Sequence, residues 1–480
     1  MGNKYLFSAH IKSTIKIKNL IKIIFPMFFP SKQSTLNLPP VAKSSNPILH
    51  NLKDLKGDTF NFFEKNCSQL GRMFIFRVVN RQFFVLNHPD YLKHVLVDNI
   101  TNYSRKKTYS ILAEMLGTGL ITSEGEVWRQ RRRIAQPAFS KDNLNSLIKD
   151  IDCTITNYWE LHKSSETKKI ELDSSMNSLA LNMLCTSIIK TDLNDRSEQI
   201  RQNLNDAFKY ISNKRFRAIK SINIPTPTKI KGKKAIAELK QTILSIIENR
   251  RSSEANYHDL LSMLMDAVDE GKNTSLTNDE LLDEVMTLFV AGHDTTAVVL
   301  NWAFYFISKH PEIQNKILEE INSKDKLDDL TLQDIMGFEY TRRVVLETMR
   351  LRPPVWAFGR KTIEKDVIDG FEIPANTSVN LPTMFIHRNS EFWEKPEAFY
   401  PEHFSAENVK KRPKYAYLPF GGGQRKCIGE HYAMMEMILT IIRSVREYEF
   451  SLVTNEDPGL ILSITIKPKK KIWVNIKKRN

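Results

Sequence analysis

Cysteine is scarce in this chain: four among 480 residues, at Cys67, Cys153, Cys185 and Cys427, with no CxxC and no regular spacing. That excludes a disulfide framework and a structural zinc site, and it fits a reducing compartment. Long apolar runs are missing too. The stretch from Leu20 to Pro30 comes nearest, but Lys22, Pro26 and Pro30 interrupt it, well short of the ~18–20 residues that a spanning helix needs. Neither an acidic residue nor an arginine precedes Asp54. Such a basic, partly apolar leader reads either as a membrane-surface anchor or as an unstructured leader. Its lack of arginine makes it a poor transit peptide, and Leu6 excludes a myristoylation signal. Internal repeats, low-complexity tracts and nucleic-acid modules are absent. The formal charge of +15 therefore points to a membrane surface or an acidic protein, with no nucleic acid as partner. Flavin, ferredoxin and nicotinamide motifs are absent as well, so any redox chemistry must draw its electrons from another protein.

What the chain does have is a hydrophobic fraction of 41%, ample for a large core, and one glycine turn that ends on a cysteine. The stretch Phe420-Gly-Gly-Gly-Gln-Arg-Lys-Cys427-Ile-Gly429 delivers Cys427 to the start of an apolar helical segment, Ile428 to about Tyr448. A helix N-terminus carries partial positive charge and free N–H groups, and both favour a thiolate. Arg425 and Lys426 add cationic charge beside it, and Gly421, Gly422 and Gly423 let the backbone approach a large flat ligand. A lone buried structural cysteine is the plainer alternative, and only the rest of the chain decides between the two.

Three further patterns stand upstream. Glu126 to Ala135 reads as a helix, ended by Pro137, with Trp128 and Arg132 on one face; an indole N–H and a guanidinium can both donate to a carboxylate. Thr277-Asn-Asp-Glu280 is a capping-box start for a long helix that His310-Pro311 stops after Lys309. Its middle, Ala291-Gly292-His293-Asp294-Thr295-Thr296, opposes helix propensity inside an apolar run, as functional sites do. His293 is a poor ligand candidate and reads as a polar space-filler. Tyr340 to Arg350 reads as a helix in which Glu347 and Arg350 pair at i,i+3 among apolar neighbours.

Taken together, WxxxR, AGxDTT, ExxR and FxxGxRxCxG, in that order, resemble the signatures of the cytochrome P-450 family, the haem-thiolate monooxygenases. The resemblance runs from about residue 38 to the end. It implies a mainly α fold with small β-sheets: residues 38–480 form one domain, with residues 1–37 as a leader, and haem lies between the long central helix and the helix after the cysteine loop. It implies haem b on Cys427, within a motif of Phe420, Gly423, Arg425 and Gly429, and propionates held by Trp128, Arg132, Arg360 and Arg425. Ala291 and Gly292 would leave room for dioxygen and substrate, and Asp294 and Thr295 would relay protons with water. Phe289, Val355, Trp356 and Ala357 would wall the substrate pocket. Glu347 and Arg350 would lock the fold behind the haem, with His403 standing where the family's PxRF segment has arginine.

The implied partners are dioxygen, a lipophilic substrate and an electron-transfer protein (a ferredoxin, flavodoxin or reductase). The basic residues Arg129, Arg131, Arg133, Lys410, Lys411, Arg412, Lys414 and Lys426 bracket the cysteine motif, and the expectation is that they dock this partner. The expected location is cytoplasmic, with peripheral membrane contact through residues 1–37. Two other readings carry less of the pattern: a haem-thiolate isomerase or dehydratase of peroxides, and a non-enzymatic haem-binding protein. Elsewhere the residue types predict a hairpin over 73–86 turning at Asn80-Arg81-Gln82, a loop over 214–234, a strand over 382–387, and a C-terminal hairpin over 460–476 turning at Pro468.

Overall fold

A helix of 32 residues, Asn278–Lys309, runs through the middle of the protein, roughly 48 Å at 1.5 Å per residue. Thr277 and Glu280 close its capping box reciprocally, and every residue from Thr296 to Ser308 is buried. A helix apolar all round has to sit inside other elements, and this one does. The computed structural model describes residues 36–163, 166–191, 196–215, 226–253, 259–266, 268–269 and 274–479, so most of the 1–37 leader lies outside the described residues.

Ten described helices have eleven or more residues. In chain order they are α1 (Thr59–Gln69), α2 (Gly125–Ala135), α3 (Lys141–Glu160), α4 (Leu172–Ser187), α5 (Ser197–Arg215), α6 (Pro227–Ser252), α7 (Asn278–Lys309), α8 (Pro311–Asn322), α9 (Glu339–Leu351) and α10 (Glu430–Glu447). The central α7 packs on α4, α6, α9 and α10, while α5 and α6 pack on each other. One apolar core threads these helices, with Trp302, Phe304 and Phe289 among its fully buried side chains. No helix among the described residues is long and apolar enough to cross a membrane.

The main sheet is small and sits to one side of the helices. Its strands are β1 (Met73–Val78), β2 (Arg81–Leu86), β3 (Tyr103–Ser104), β4 (Phe358–Thr362) and β5 (Ser378–Leu381), in the order β1-β2-β5-β4-β3. The β2–β5 pair is parallel and the other pairs are antiparallel. A second sheet places Trp473–Lys478 between Tyr448–Leu452 and Lys168–Glu171.

Four local expectations change. The β1–β2 turn is Val79-Asn80, because Arg81 and Gln82 already pair with Val78 and Arg77; Val79 takes a left-handed φ of 55°. The loop expected over 214–234 gives way to α6 at Pro227, where proline fits the first helical turn and Thr226 caps Lys229 N–H; residues 216–225 lie outside the described residues. Thr383–Ile386 is a helical turn, since Met384 N–H and Thr383 Oγ1 both bond back to Trp356 O. The C-terminal hairpin pairs Leu460–Leu462 with Ile466–Pro468 and so turns at 463–465. Trp473–Lys478 is recruited by the second sheet instead.

Candidate active site

The cysteine loop is closed by its own backbone, Cys427 N–H donating to Phe420 O at 2.9 Å. Gly423 has φ 67°, and a Cβ there would stand 2.1 Å from the carbonyl oxygen of Leu96. Only glycine fits. Leu96 belongs to the π-helical turn His94–Asp98, which abuts the loop at this point. Gly421, φ 74°, lies beside Phe358. Gly429 caps α10 with an ordinary negative φ and has room for a side chain beside Phe139.

Cys427 is accessible at its surface, yet the protein around it does not favour the free thiolate. Burial pushes the thiol up, and the Gly429 N–H, Arg132 and Lys426 do not offset it. Lys426 instead pairs with Glu430, which itself raises the thiol. Arg132, Lys426 and the Gly429 N–H do pull the thiol down, as expected of cations and a helix start, but burial outweighs them. The proton has to be displaced by a metal, as binding to any thiolate ligand requires.

Around the loop stands an excess of cations, half-buried at Arg105, Arg132 and Arg425 and buried at Arg360. The Arg425 guanidinium lies 3.9 Å over the Trp128 ring. Arg132, on the next turn of α2, donates through Nη1 to Lys426 O at 2.9 Å and through Nε to Gln136 at 3.0 Å. Arg360 is buried on β4. Burial first, and then the neighbouring arginines, push Arg425 down to about 9 and Arg360 down to about 10. Two residues absent from the sequence reading join them. Arg105 acts on both Arg425 and Arg360, and Tyr109, whose burial is outweighed by Arg105 and Arg360, is held low. Arg425 Nη1 and Arg105 Nε are buried without a hydrogen-bond partner. Orphaned guanidinium N–H groups beside an accessible cysteine suit a ligand that brings carboxylates, and haem propionates fit that description.

On α7, Thr295 Oγ1 donates to Ala291 O at 2.6 Å, leaving its lone pairs free to accept from water. Asp294 is buried; its Oδ1 is 3.6 Å from Lys467 Nζ on the 460–468 hairpin, and its Oδ2 has no partner. Lys467 also reaches Asn205 on α5 at 3.3 Å. Thr296 turns away and donates to Glu436 on α10 at 3.1 Å. His293 meets Asn177 O on α4 at 3.2 Å and is pushed down to about 4 by burial. A neutral histidine facing a neighbouring helix is a space-filler.

Three of the expected pocket residues face elsewhere. A Cβ on Gly292 would lie 2.9 Å from Leu184, so its small size serves the close approach of α7 and α4. Phe289 is buried with Leu184, Ile188, Leu261 and Leu264. Trp356 is buried edge-on against Phe63, and its indole N–H donates to Ser463 O at 2.9 Å. Val355 and Ala357, on either side of Trp356, are half-buried, as alternation in an extended segment requires.

Glu347 and Arg350 on α9 are both fully buried. Arg350 Nε and Nη2 donate to the two Glu347 oxygens at 2.8 Å each, and its remaining N–H groups reach the carbonyls of His387, Pro396 and Ala398. His403 Nδ1 lies 3.2 Å from both Glu347 oxygens, while Nε2 faces Glu394 O. Both ring nitrogens meet acceptors only, so a ring carrying both hydrogens satisfies the cluster, as an arginine would.

The basic surface needs two corrections. Arg131 is buried and paired with Glu280 at 2.7 Å and Glu284 at 3.4 Å on α7, so it ties helices together. Burial raises Glu284 to about 7 against the pull of Arg131. Arg412 is half-buried and stacked 3.7 Å over Trp393. Arg129, Arg133, Lys410, Lys411, Lys414 and Lys426 are exposed.

These features meet in one family. A family model described as Cytochrome P450 matches residues 39–475, and the chain belongs to that family. It is an oxidoreductase, a cytochrome P450 monooxygenase with an iron haem cofactor. Cytochrome P450 4c21 of Blattella germanica is 27% identical over 467 residues, covering 92% of each chain. Cyclooctat-9-en-7-ol 5-monooxygenase of Streptomyces melanosporofaciens is 29% identical over 359 residues, covering 74% of this chain and 77% of that one. Among solved structures, the retinoic-acid-bound cyanobacterial CYP120A1 superposes with a TM-score of 0.82 at 24% identity, covering 93% of this chain and all of that one. The haem domain of cytochrome P450DA gives 0.82 at 22% identity, with coverages of 93% and 98%.

Proposed function

We propose that the chain inserts one oxygen atom of dioxygen into a lipophilic small molecule, with Cys427 as the thiolate ligand of its haem and a separate protein as electron donor. One observation carries the assignment of the site: an accessible cysteine on a sterically obligatory glycine turn, beside two arginines that each bury one guanidinium nitrogen without a hydrogen-bond partner. Haem, when bound, supplies dioxygen activation under donation from the thiolate.

The chain's own residues do the rest. Trp128 stacks under Arg425 and, with Arg132 and Arg360, forms the cationic wall for the propionates; Arg105 and Tyr109 extend it. Ala291 leaves space on α7 and accepts from Thr295. Thr295 Oγ1, its hydrogen committed to Ala291 O, would accept from a water and hold it on the α7 face of the haem site. Asp294 hands protons to this water, and Lys467 connects Asp294 to the surface. Val355 and Ala357 offer an apolar wall, which supports a lipophilic substrate, as does the retinoic acid held by the structurally similar CYP120A1.

Residues 1–37 are a separate leader before a single domain at 38–480, and they supply peripheral membrane contact to a protein that is otherwise cytoplasmic. The exposed lysines and arginines flanking the cysteine loop dock an acidic ferredoxin, flavodoxin or reductase. The test is a substrate-binding spin-shift screen of lipophilic compounds on the haem-loaded protein, followed by product analysis with a surrogate reductase. Turnover with a hydroperoxide alone, and none with a reductase, would point instead to a peroxide isomerase.

A further inference from the structure

The C-terminal hairpin is held by three parts of the molecule. Ile466 N–H donates to Pro354 O at 3.3 Å, and the Trp356 indole donates to Ser463 O at 2.9 Å, so the turn at 463–465 is pinned to the segment that carries Val355 and Ala357. Lys467 reaches Asp294 on α7 at 3.6 Å. On a third side lies α5. Lys467 meets Asn205 at 3.3 Å and stands 5.9 Å from the centre of the Phe208 ring, while Ser463 Oγ meets Ser212 Oγ at 2.6 Å. Asn205, Phe208 and Ser212 follow at intervals of three and four, so one face of α5 lies along the hairpin. The hairpin thus spans from the Val355–Ala357 segment to the α7 turn bearing Asp294, the two sides between which the substrate is expected to lie.

Ser212 departs from the other helical hydroxyls. Thr154, Thr242 and Ser444 bond back to the carbonyl four residues earlier, whereas Ser212 reaches across to the hairpin. Both serines are half-buried. Each hydroxyl has one hydrogen and two lone pairs. Whichever serine donates, their mutual bond uses one hydrogen and leaves the other without an acceptor among the described residues. The main chain of Ser463 is engaged on both sides, its oxygen by Trp356 and its N–H by Thr465 O at 3.2 Å, so the hydroxyl is held in place. Beside the pair, Phe208 and Ile211 are buried and Ile464 packs on the core. A spare donor among apolar side chains is satisfied by an oxygen that a ligand brings.

We propose that the Ser212–Ser463 hydroxyl pair is a substrate subsite: it takes a neutral oxygen, a hydroxyl or a carbonyl, carried by an otherwise lipophilic molecule. The pair donates its spare hydrogen to that oxygen, and a substrate hydroxyl returns its own hydrogen to a serine lone pair. A carboxylate fits less well. The pair itself carries no charge, and Lys467, four residues along the strand, is already taken by Asp294 and Asn205. The inference deepens the lipophilic-substrate reading above and rests on it.

The experiment uses the haem-loaded full chain and probes that require no knowledge of the substrate: N-alkylimidazoles of increasing chain length, and the same compounds ending in a hydroxyl or a carboxylate. Imidazole binding to the haem is read from the difference spectrum. Burying a hydroxyl without a partner weakens binding, so the hydroxyl-ended series should bind less well than the alkyl series at most lengths. Where the chain reaches the serines, it should bind about three- to tenfold tighter than its alkyl counterpart. Ser212→Ala and Ser463→Ala should each erase that preference, whereas a merely structural effect would weaken both series equally. Alkylimidazoles that bind, with no length at which the hydroxyl helps, overturn the subsite alone. A hydroxyl preference that survives both alanine variants overturns its assignment to the serines, and an equal gain for the carboxylate overturns the neutral class. Alkylimidazoles that bind no better as the chain lengthens overturn the lipophilic reading, and the subsite with it.

Discussion

Replacing Glu347 by glutamine keeps the shape of the side chain and removes its charge. The structure makes the consequence calculable. Glu347 and Arg350 are both 0% exposed, and all five Arg350 N–H groups are engaged, two on Glu347 and three on main-chain carbonyls. The three carbonyls carry no net charge, so the variant leaves a guanidinium buried without a counter-charge except for what its neighbours relax to supply. Removing one partner of such a pair costs about 3–5 kcal/mol, a large part of the roughly 5–15 kcal/mol that typically separates folded from unfolded protein. The Tyr400 N–H and His403, which also bond to Glu347, would keep only a weaker acceptor. The assay is urea unfolding followed by tryptophan fluorescence and by haem absorbance. Adding Arg350→Met to Glu347→Gln should recover part of the loss, because the uncompensated charge goes with it. A loss below about 1 kcal/mol in the single variant, the size of an exposed ion pair, would refute the idea that this pair is a buried lock.

Other outcomes follow from the same geometry. Gly423→Ala forces a left-handed φ, worth about 1–2 kcal/mol, and a clash with Leu96 O, worth about 1–3 kcal/mol; it should express with little haem, which the ratio of Soret to protein absorbance reads directly. Thr295→Ala should keep its haem and release several-fold more hydrogen peroxide per electron consumed, so tight coupling in that variant would remove the water-holding role. Charge reversal at Lys414 and Lys426 should slow reduction by the partner on the order of tenfold at low salt, with the difference shrinking near 0.15 M, where the Debye length is about 8 Å. Glu436 gives a stability test with a definite sign. Burial pushes its carboxyl up to about 8, above the ordinary glutamate value of 4.5, so the folded state holds the proton more tightly and wild type loses stability as pH rises between the two values. Glu436→Gln should therefore gain on wild type from pH 5 to pH 9, as chemical unfolding at the two pH values measures.

The parts of this site legible in the sequence are those decided within a few residues. The capping box at Thr277 and Glu280, the stop at His310-Pro311 and the glycine turn before Cys427 each depend on local backbone preference, and the structure has them where the spacing put them. What was illegible depends on partners far along the chain. Arg131 looked like a solvated arginine because Glu280 and Glu284 stand about 150 residues away. Lys467 gave no sign that it would reach Asp294, and Arg105 stood in a stretch with no periodicity to place it. Periodicity located Gly292, Phe289 and Trp356 on elements but did not say which neighbour covers which face. The C-terminal hairpin slipped for a related reason: Trp473–Lys478 alternates well enough to pair with what precedes it, but Tyr448–Leu452 and Lys168–Glu171 offer two edges at once.

The central claim is that Cys427 ligates the haem as a thiolate, and the absorption spectrum of the reduced protein under carbon monoxide tests it most directly. Wild type should show the strongly red-shifted Soret band of a thiolate-ligated haem, and Cys427→Ala should lose it while still folding. A folded, haem-loaded wild type without that shift, or a Cys427→Ala protein that retains it, would contradict the account.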